Sequence, residues 1–211
     1  MILPVLNGMR QVDAITERFG SKALTGCVCK VATHLDGEGR IVQMNKLQDF
    51  AYGEMSGEVT DRIRRLDTQM QGAGFDARLS ADIELEMWEK WALLSSLGGI
   101  TCLARGNIGE VVATPGGVEF ASGIFDEVTS IIGAVGRKPS DVFLKQSRAL
   151  LTLRDSVQTS SMYRDLEKGY PLEACQIIGD LLQRAQKSKI AAPLLSAVFV
   201  NLSVYQNRLV A

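Results

Sequence analysis

The spacing of apolar and polar residues changes period once along this chain. Up to residue 79, short alternating runs are punctuated by turn residues; from Ser80 onward apolar residues recur every three or four positions. Ile2–Leu6 is an apolar run closed by Asn7-Gly8, which predicts a short strand entering a tight turn. Gln11–Phe19 has a helical period and stops at Gly20. Cys27–His34 alternates as a strand does, Asp36-Gly-Glu-Gly39 predicts a turn, and Arg40–Met44 predicts the returning arm of a hairpin. A further short strand is predicted at Phe50–Gly53, a helix over Val59–Gln71 ending at Gly72-Ala-Gly74, and a last strand over Phe75–Leu79.

The helical part opens at Ser80, a predicted N-cap, with Asp82, Glu84 and Glu86 in the first turns, where the helix dipole favours negative charge. Leu85, Trp88, Ala92 and Leu93 mark an apolar stripe that continues to Leu103. After the break at Pro115-Gly-Gly117, helices are predicted over Val118–Val135, from Pro139-Ser140-Asp141 to Asp155, over Ser160–Glu167, over Leu172–Lys187 and over Pro193–Val210. The expected fold class is therefore α+β, with strands, a hairpin and two helices over 1–79 and an all-α bundle over 80–211. A strand at residue 2 needs neighbours, so the sheet is expected to be incomplete.

Composition narrows the function classes. A net charge of -1 leaves no basic field for nucleic acid or an anionic membrane, and the Arg62, Arg64 and Arg65 cluster reads as a solvated helix face. No stretch reaches the ~18 apolar residues of a membrane span. The opening Met-Ile-Leu-Pro-Val-Leu has neither the charged start nor the cleavage site of a signal peptide, so a cytoplasmic protein is expected. Four cysteines (Cys27, Cys29, Cys102, Cys175) and the single His34 lack zinc-ligand spacing, so buried reduced thiols and no metal are expected.

Two stretches carry candidate chemistry. Glu86-Met-Trp-Glu-Lys90-Trp91 places an amine between two indoles on a helix. Ser160-Ser-Met-Tyr-Arg-Asp-Leu-Glu-Lys-Gly-Tyr-Pro-Leu-Glu173 places a serine pair at a helix start, then a turn, then a carboxylate entering the next helix; such a layout can hold a small polar ligand. Each residue also has a structural reading. Lys90 can be a surface lysine, Trp88 and Trp91 core or domain-interface packing, Ser160 and Ser161 helix caps, Glu173 a first-turn glutamate serving the dipole, and Asn7 the positive-φ residue of an Asn-Gly turn.

Both stretches, with Leu6-Asn7-Gly8, resemble the ketopantoate reductase (2-dehydropantoate 2-reductase) family, which reduces a 2-oxo acid to a 2-hydroxy acid with NADPH in pantothenate synthesis. The resemblance implies that Lys90 is the general acid. It implies that Ser161 binds the substrate carboxylate, that Glu173 holds the substrate hydroxyl, and that Asn7 borders the nicotinamide. It also implies that 1–79 is the C-terminal remnant of a Rossmann nucleotide-binding domain and that 80–211 is a helical domain for substrate binding and dimerisation, as in the 6-phosphogluconate dehydrogenase C-terminal-like fold. A homodimer acting on a small 2-oxo acid is the expected assembly, with no nucleic-acid or membrane partner.

The sequence departs from the family pattern in three places. Leu94 and Gly98 stand where many members carry asparagines one and two turns after the lysine. Cys175 stands where an acidic residue is common, two positions after the glutamate. The G-x-G-x-x-G that cradles a dinucleotide pyrophosphate is missing from the 211 residues. These departures suggest a divergent, N-terminally truncated branch that is inactive alone. The competing expectation is a non-catalytic oligomerising or interaction protein derived from the family, recruited through an open sheet edge.

Overall fold

The computed structural model describes residues 1–209. It divides into two compact units, Met1–Met87 and Trp88–Ala211, with the division inside one long helix. The C-terminal helix predicted through Val210 has its last residue outside the described range.

The first unit runs α1 (Arg10–Phe19), β1 (Gly26–Leu35), β2 (Ile41–Gly53), α2 (Asp61–Met70) and β3 (Asp76–Leu79). The sheet order is β1-β2-β3, with β1 antiparallel and β3 parallel to β2. The strand expected at Ile2–Leu6 is not formed. Ile2 makes one parallel bridge to Leu24 and no more, because Pro4 has no N–H to continue a ladder; its carbonyl accepts instead from Cys27 Sγ at 3.1 Å. The strands expected at Arg40–Met44 and Phe50–Gly53 are one continuous β2, paired with β1 from Leu35↔Ile41 to Gly26↔Gly53 across a register shift between Val31 and Thr33. The turn at Asp36 forms as its chemistry predicts: the carboxylate accepts from the Glu38 and Arg40 amides, each at 2.9 Å.

Cys27, Tyr52 and Ile63 form the buried centre of this unit, with Leu3, Phe50 and Leu66 against them. The Tyr52 hydroxyl donates to Asp67 at 2.7 Å, tying β2 to α2. Arg62 corrects one expectation. It is not on a purely solvated face, because its guanidinium pairs with the buried Glu54 and donates to the Leu24 carbonyl at 3.2 Å. Thr60 caps α2 by accepting from the Ile63 amide.

α3 (Ile83–Ala104) begins in this unit. Its first turn packs on the sheet: a Cβ at Gly26 would lie 2.8 Å from Ile83 Cγ2, and one at Gly53 would lie 3.2 Å from it. The N-cap is Asp82, whose carboxylate accepts from the Leu85 amide at 3.3 Å, not Ser80. Ser80 is buried, and its hydroxyl donates to Glu86 at 2.6 Å while accepting from the Asp82 amide at 3.2 Å.

The second unit is entirely helical among the described residues: the rest of α3, α4 (Ile108–Ala113), α5 (Gly117–Val135), α6 (Asp141–Leu151), α7 (Ser161–Glu167), α8 (Asp180–Lys187) and α9 (Pro193–Leu209). Its core is apolar, centred on Ile124, Phe125, Val128, Ile131 and Ile132 of α5 with Leu195, Val198 and Leu202 of α9. The sequence reading passed over α4, although Asn107 and Glu110 form a complete capping box, both bonds 2.8 Å long. α6 stops at Leu151, four residues short of the prediction, before Asp155 takes a φ of 59°. The helix expected over Leu172–Lys187 opens with a π-helical turn at Cys175–Gly179 before α8. Of the four reduced cysteines, Cys27 and Cys102 are buried and Cys175 is exposed, so the expectation of uniformly buried thiols fails at Cys175. The fold class is thus the expected one, a small sheet with helices preceding a helical unit.

Candidate active site

α3 carries two kinds of polar residue, and the structure separates them. At 3.6 residues per turn, Lys90, Leu94, Gly98 and Thr101 fall within a stripe about 80° wide, while Trp91 and Ser95 face the next sector. The Trp91 indole N–H donates to the Ile177 carbonyl at 2.9 Å, and the Ser95 hydroxyl donates to the same oxygen at 3.2 Å. That carbonyl belongs to the π-helical turn, whose widened backbone coincides with this pair of outside donors. The tie fixes the segment just after Glu173 against the middle of α3.

The Lys90 stripe meets α7. A Cβ at Gly98 would lie 2.6 Å from Met162 Cε, so the methionine terminus occupies the space a side chain at 98 would need. One turn further on, the Thr101 and Ser160 hydroxyls lie 2.9 Å apart. Thr101 already donates to the Leu97 carbonyl at 2.7 Å, so the Ser160 proton goes to Thr101. Ser160 Oγ also accepts from the Tyr163 amide at 2.9 Å, which makes it the cap of α7. Of the two readings of the serine pair, capping therefore falls to Ser160. Ser161, the first residue of α7, is exposed.

Glu173 sits at the exposed entry to the π-helical turn, its backbone carbonyl accepting from the Gln176 and Ile177 amides at 3.1 and 2.9 Å. Its charge reaches α7: burial raises the Asp165 carboxyl above its ordinary value, Glu173 adds to the rise, and Arg164 and Lys168 oppose it. Within one unit, α3 is thus tied to the start of α7 through Gly98 and Thr101 and to the π-helical turn just after Glu173 through Trp91 and Ser95; Lys90 is half-buried on the same helix. Asn7 belongs to the other unit, half-buried in a bend before Gly8, whose φ is 81°. Sequence reasoning missed Thr101, three turns after Lys90 on the same stripe, although that spacing was available.

The neighbours of Lys90 have structural duties. Glu89 accepts from the Ser140 amide and hydroxyl at 2.8 and 2.7 Å, capping the approach to α6. Trp88 and Trp91 are buried with ring centroids 5.5 Å apart, and the Arg184 guanidinium lies 5.7 and 5.5 Å from their two rings. They are core packing, as expected. Cys102 is buried on the same helix, and burial pushes its thiol up to about 12, so it is inert at neutral pH. A separate hollow of about 380 Å³ opens between α3, α4 and α5 at Arg105, Glu110 and Phe120; Lys90, Ser161 and Glu173 do not line it. Among the described residues no group of three or more His, Cys, Asp or Glu could hold a metal ion, and no helix is long and apolar enough to cross a membrane.

A dinucleotide fits these residues incompletely. The Asn7-Gly8 bend could border a nicotinamide, but β1–β3 carry no glycine cradle for a pyrophosphate, and a G-x-G-x-x-G occurs nowhere in the 211 residues.

Comparison with known proteins gives this arrangement its context. Residues 82–206 match the family model for the ketopantoate reductase PanE/ApbA C-terminal domain. An uncharacterized oxidoreductase, YkpB, of Bacillus subtilis is 30% identical over 206 residues, an alignment covering 98% of this chain and 68% of that protein. The 2-dehydropantoate 2-reductase of a Nostoc species is 23% identical over 212 residues, covering 99% of this chain and 66% of that enzyme. Among solved structures, the 2-dehydropantoate 2-reductase of Geobacter metallireducens superposes with a TM-score of 0.82 at 23% identity, over 97% of this chain and 68% of that one. A D-mandelate dehydrogenase solved with NADH superposes at 0.83 with 18% identity, over 98% of this chain and 70% of that one. The chain thus spans about two thirds of the length of these relatives.

Proposed function

This chain belongs to the ketopantoate reductase family, and on that premise we propose that its helical unit is the substrate half of an NADP-dependent 2-oxo acid reductase, the proton-donating and carboxylate-holding side of the reaction. What supports the reading is that α3, the helix carrying Lys90, is tied to the start of α7 by the Gly98–Met162 contact and to the turn just after Glu173 by the Trp91 and Ser95 bonds to Ile177.

Reducing a 2-oxo acid puts negative charge on the carbonyl oxygen as the carbon gains hydride. Lys90 is the group suited to meet that charge: an ammonium aimed at the oxygen stabilises it as it develops and then delivers a proton to it. Ser161, with its neighbour Ser160 committed to the cap, has a hydroxyl that can donate to the substrate carboxylate. Glu173 accepts a hydrogen bond from a substrate hydroxyl, and Asn7 borders the nicotinamide. A nicotinamide cofactor supplies the hydride in such a reaction. The residues present do not cradle its pyrophosphate, so this chain alone is expected to leave NADPH unconsumed. The intact site would work as a homodimeric, cytoplasmic enzyme of pantothenate synthesis.

Two measurements test the reading. NADPH absorbance should not fall when the chain is mixed with ketopantoate; clear turnover would refute inactivity of the isolated chain. Calorimetric titration should show 2-oxo acids binding more tightly than the matching carboxylates that lack the oxo group, with that preference lost in Lys90→Met. Equal binding of both acid classes to the unaltered chain would sink the assignment of Lys90 to the carbonyl.

A further inference from the structure

The segment before α1 presents a strand edge that Pro4 leaves usable. Ile2 turns its backbone toward the start of β1: its amide donates to the Ala23 carbonyl at 2.7 Å, and its carbonyl accepts from the Thr25 amide at 3.0 Å. Pro4 turns the same way, its carbonyl accepting from Cys27 Sγ. Along extended backbone, alternate residues address opposite edges, so the groups of Leu3 and Val5 address the outer one. The N–H that Pro4 lacks therefore interrupts only the inner ladder, and two donors and two acceptors remain on the outer edge. Among the described residues none bonds to them.

The apolar surface beside this edge is wider than one strand would cover. Val5 and Leu6 are 54% and 62% exposed. α1 carries Val12, Ile15 and Phe19 along one side, yet it buries no residue, and Phe19 is 57% exposed. The bridge from Ile2 to Leu24 is parallel, and parallel strands belong to sheets that are covered by neighbours.

We infer that this edge and the exposed side of α1 dock a separate polypeptide, a nucleotide-binding fragment that adds a parallel strand against Leu3 and Val5 and brings the glycine cradle this chain lacks. The inference deepens the substrate-half reading, on which it rests for what the assembly does. Two observations select that occupant. About one third of each relative lies outside its match to this chain, which covers 68% of YkpB and 70% of the D-mandelate dehydrogenase solved with NADH. The second is position. A strand added parallel ends beside Asn7-Gly8, and in open α/β sheets ligands lie beyond the carboxyl ends of the strands. The fragment thus meets this chain where a nicotinamide border exists without a pyrophosphate site. Backbone pairing of this kind supplies affinity through the main chain, and the apolar side of α1 adds burial.

The test co-expresses the 211-residue chain with a tagged fragment, the third of YkpB outside the match, and purifies through the tag. The expected result is a one-to-one complex by light scattering that binds NADPH in a fluorescence titration, where this chain alone does not. Val5→Pro removes an outward N–H at an exposed position and should weaken the complex roughly tenfold or more, while Val5→Thr leaves it intact. In the unaltered complex the Leu3 and Val5 amides should gain protection from hydrogen exchange. A fragment that stays insoluble or purifies without the chain overturns the inference, and so does a complex that Val5→Pro leaves unchanged. A dimer of the chain alone that Val5→Pro dissolves also overturns it, by giving the edge to a second copy. A complex that binds NADPH but reduces no 2-oxo acid keeps the inference and removes the substrate-half reading. No complex, with 2-oxo acids still preferred through Lys90, does the reverse.

Discussion

The two units of this chain are held together by different physics. In Met1–Met87 the sheet is small, and much of what fixes it is charge: Glu54 with Arg62, and Arg78 with Asp49 and Glu86 at 3.0 and 2.6 Å. The outer part of its hairpin leaves Val31, Leu35, Ile41, Met44 and Leu47 exposed. In the helical unit the centre is a continuous apolar core, and the buried polar groups near α3 serve as ties and caps. The second arrangement is the one suited to a chemical site, because packed helices hold the side chains they carry in fixed relation. A site that depends on that rigidity should fail when the core ties are cut and should ignore disturbances of the charged unit.

The largest effect is expected at Trp91. Trp91→Ala removes a fully buried indole and its bond to Ile177, and should cost the helical unit about 3–5 kcal/mol, read as a lower urea midpoint. A loss near zero would mean that the π-helical turn is not held through α3.

Glu54→Gln should cost the first unit about 1.5–3 kcal/mol, because the side chain is 6% exposed and its bonds to Arg62 and Thr60 are charge-assisted. The pH dependence follows the same bonds. Arg62 pulls the Glu54 carboxyl below its ordinary value of 4.5, burial opposes it, and Thr60 adds to the lowering. A lowered folded pKa gives stability that is fully present above the ordinary value and is lost as pH falls through the folded one. Asp165 in the helical unit has the opposite sign: its raised carboxyl contributes below its ordinary value of 3.8 and loses that contribution as pH rises through the folded value. Unfolding followed by hydrogen exchange should therefore show acid, on going below about pH 4.5, loosening Met1–Met87 first, with Glu54→Gln flattening that slope. Loss of both units together over the same range would contradict the contrast between them.

A smaller effect is expected where α7 meets α3. Ser160→Ala removes the α7 cap and the hydrogen bond to Thr101, and should cost about 1 kcal/mol by thermal melting. Ser161→Ala, at an exposed position, should leave stability unchanged and weaken acid binding; the reverse pattern would exchange the roles of the two serines.

How much of this was legible in the sequence depends on the range of the forces involved. Lys90, the serine pair and Glu173 lie in short motifs whose helices and turns are set locally, so their elements could be read from spacing. The α4 capping box was equally local; Asn107 and Glu110 stand three apart and were simply passed over. The Ile2–Leu6 strand failed on Pro4, also visible in the sequence. Ser80 and Asp82 are both good caps, and only the packing of Ser80 against Glu86 decides between them. The Met162 methyl over Gly98 and the two donors on Ile177 join residues far apart in the chain, and no local pattern announces them. The absence of a side chain at residue 98 could be read from the sequence, but the α7 methionine that fills its space could only be seen in the fold.

The central claim is that Lys90 serves the binding of a 2-oxo acid, and it is tested most directly by measuring stability and binding on one sample of Lys90→Met. Methionine keeps the length of the side chain, so the unfolding free energy should change by less than the binding free energy does. The variant's affinity for a 2-oxo acid should fall at least tenfold, about 1.4 kcal/mol in binding free energy. Unchanged affinity, or a loss of affinity matched by an equal loss of stability, would contradict the account.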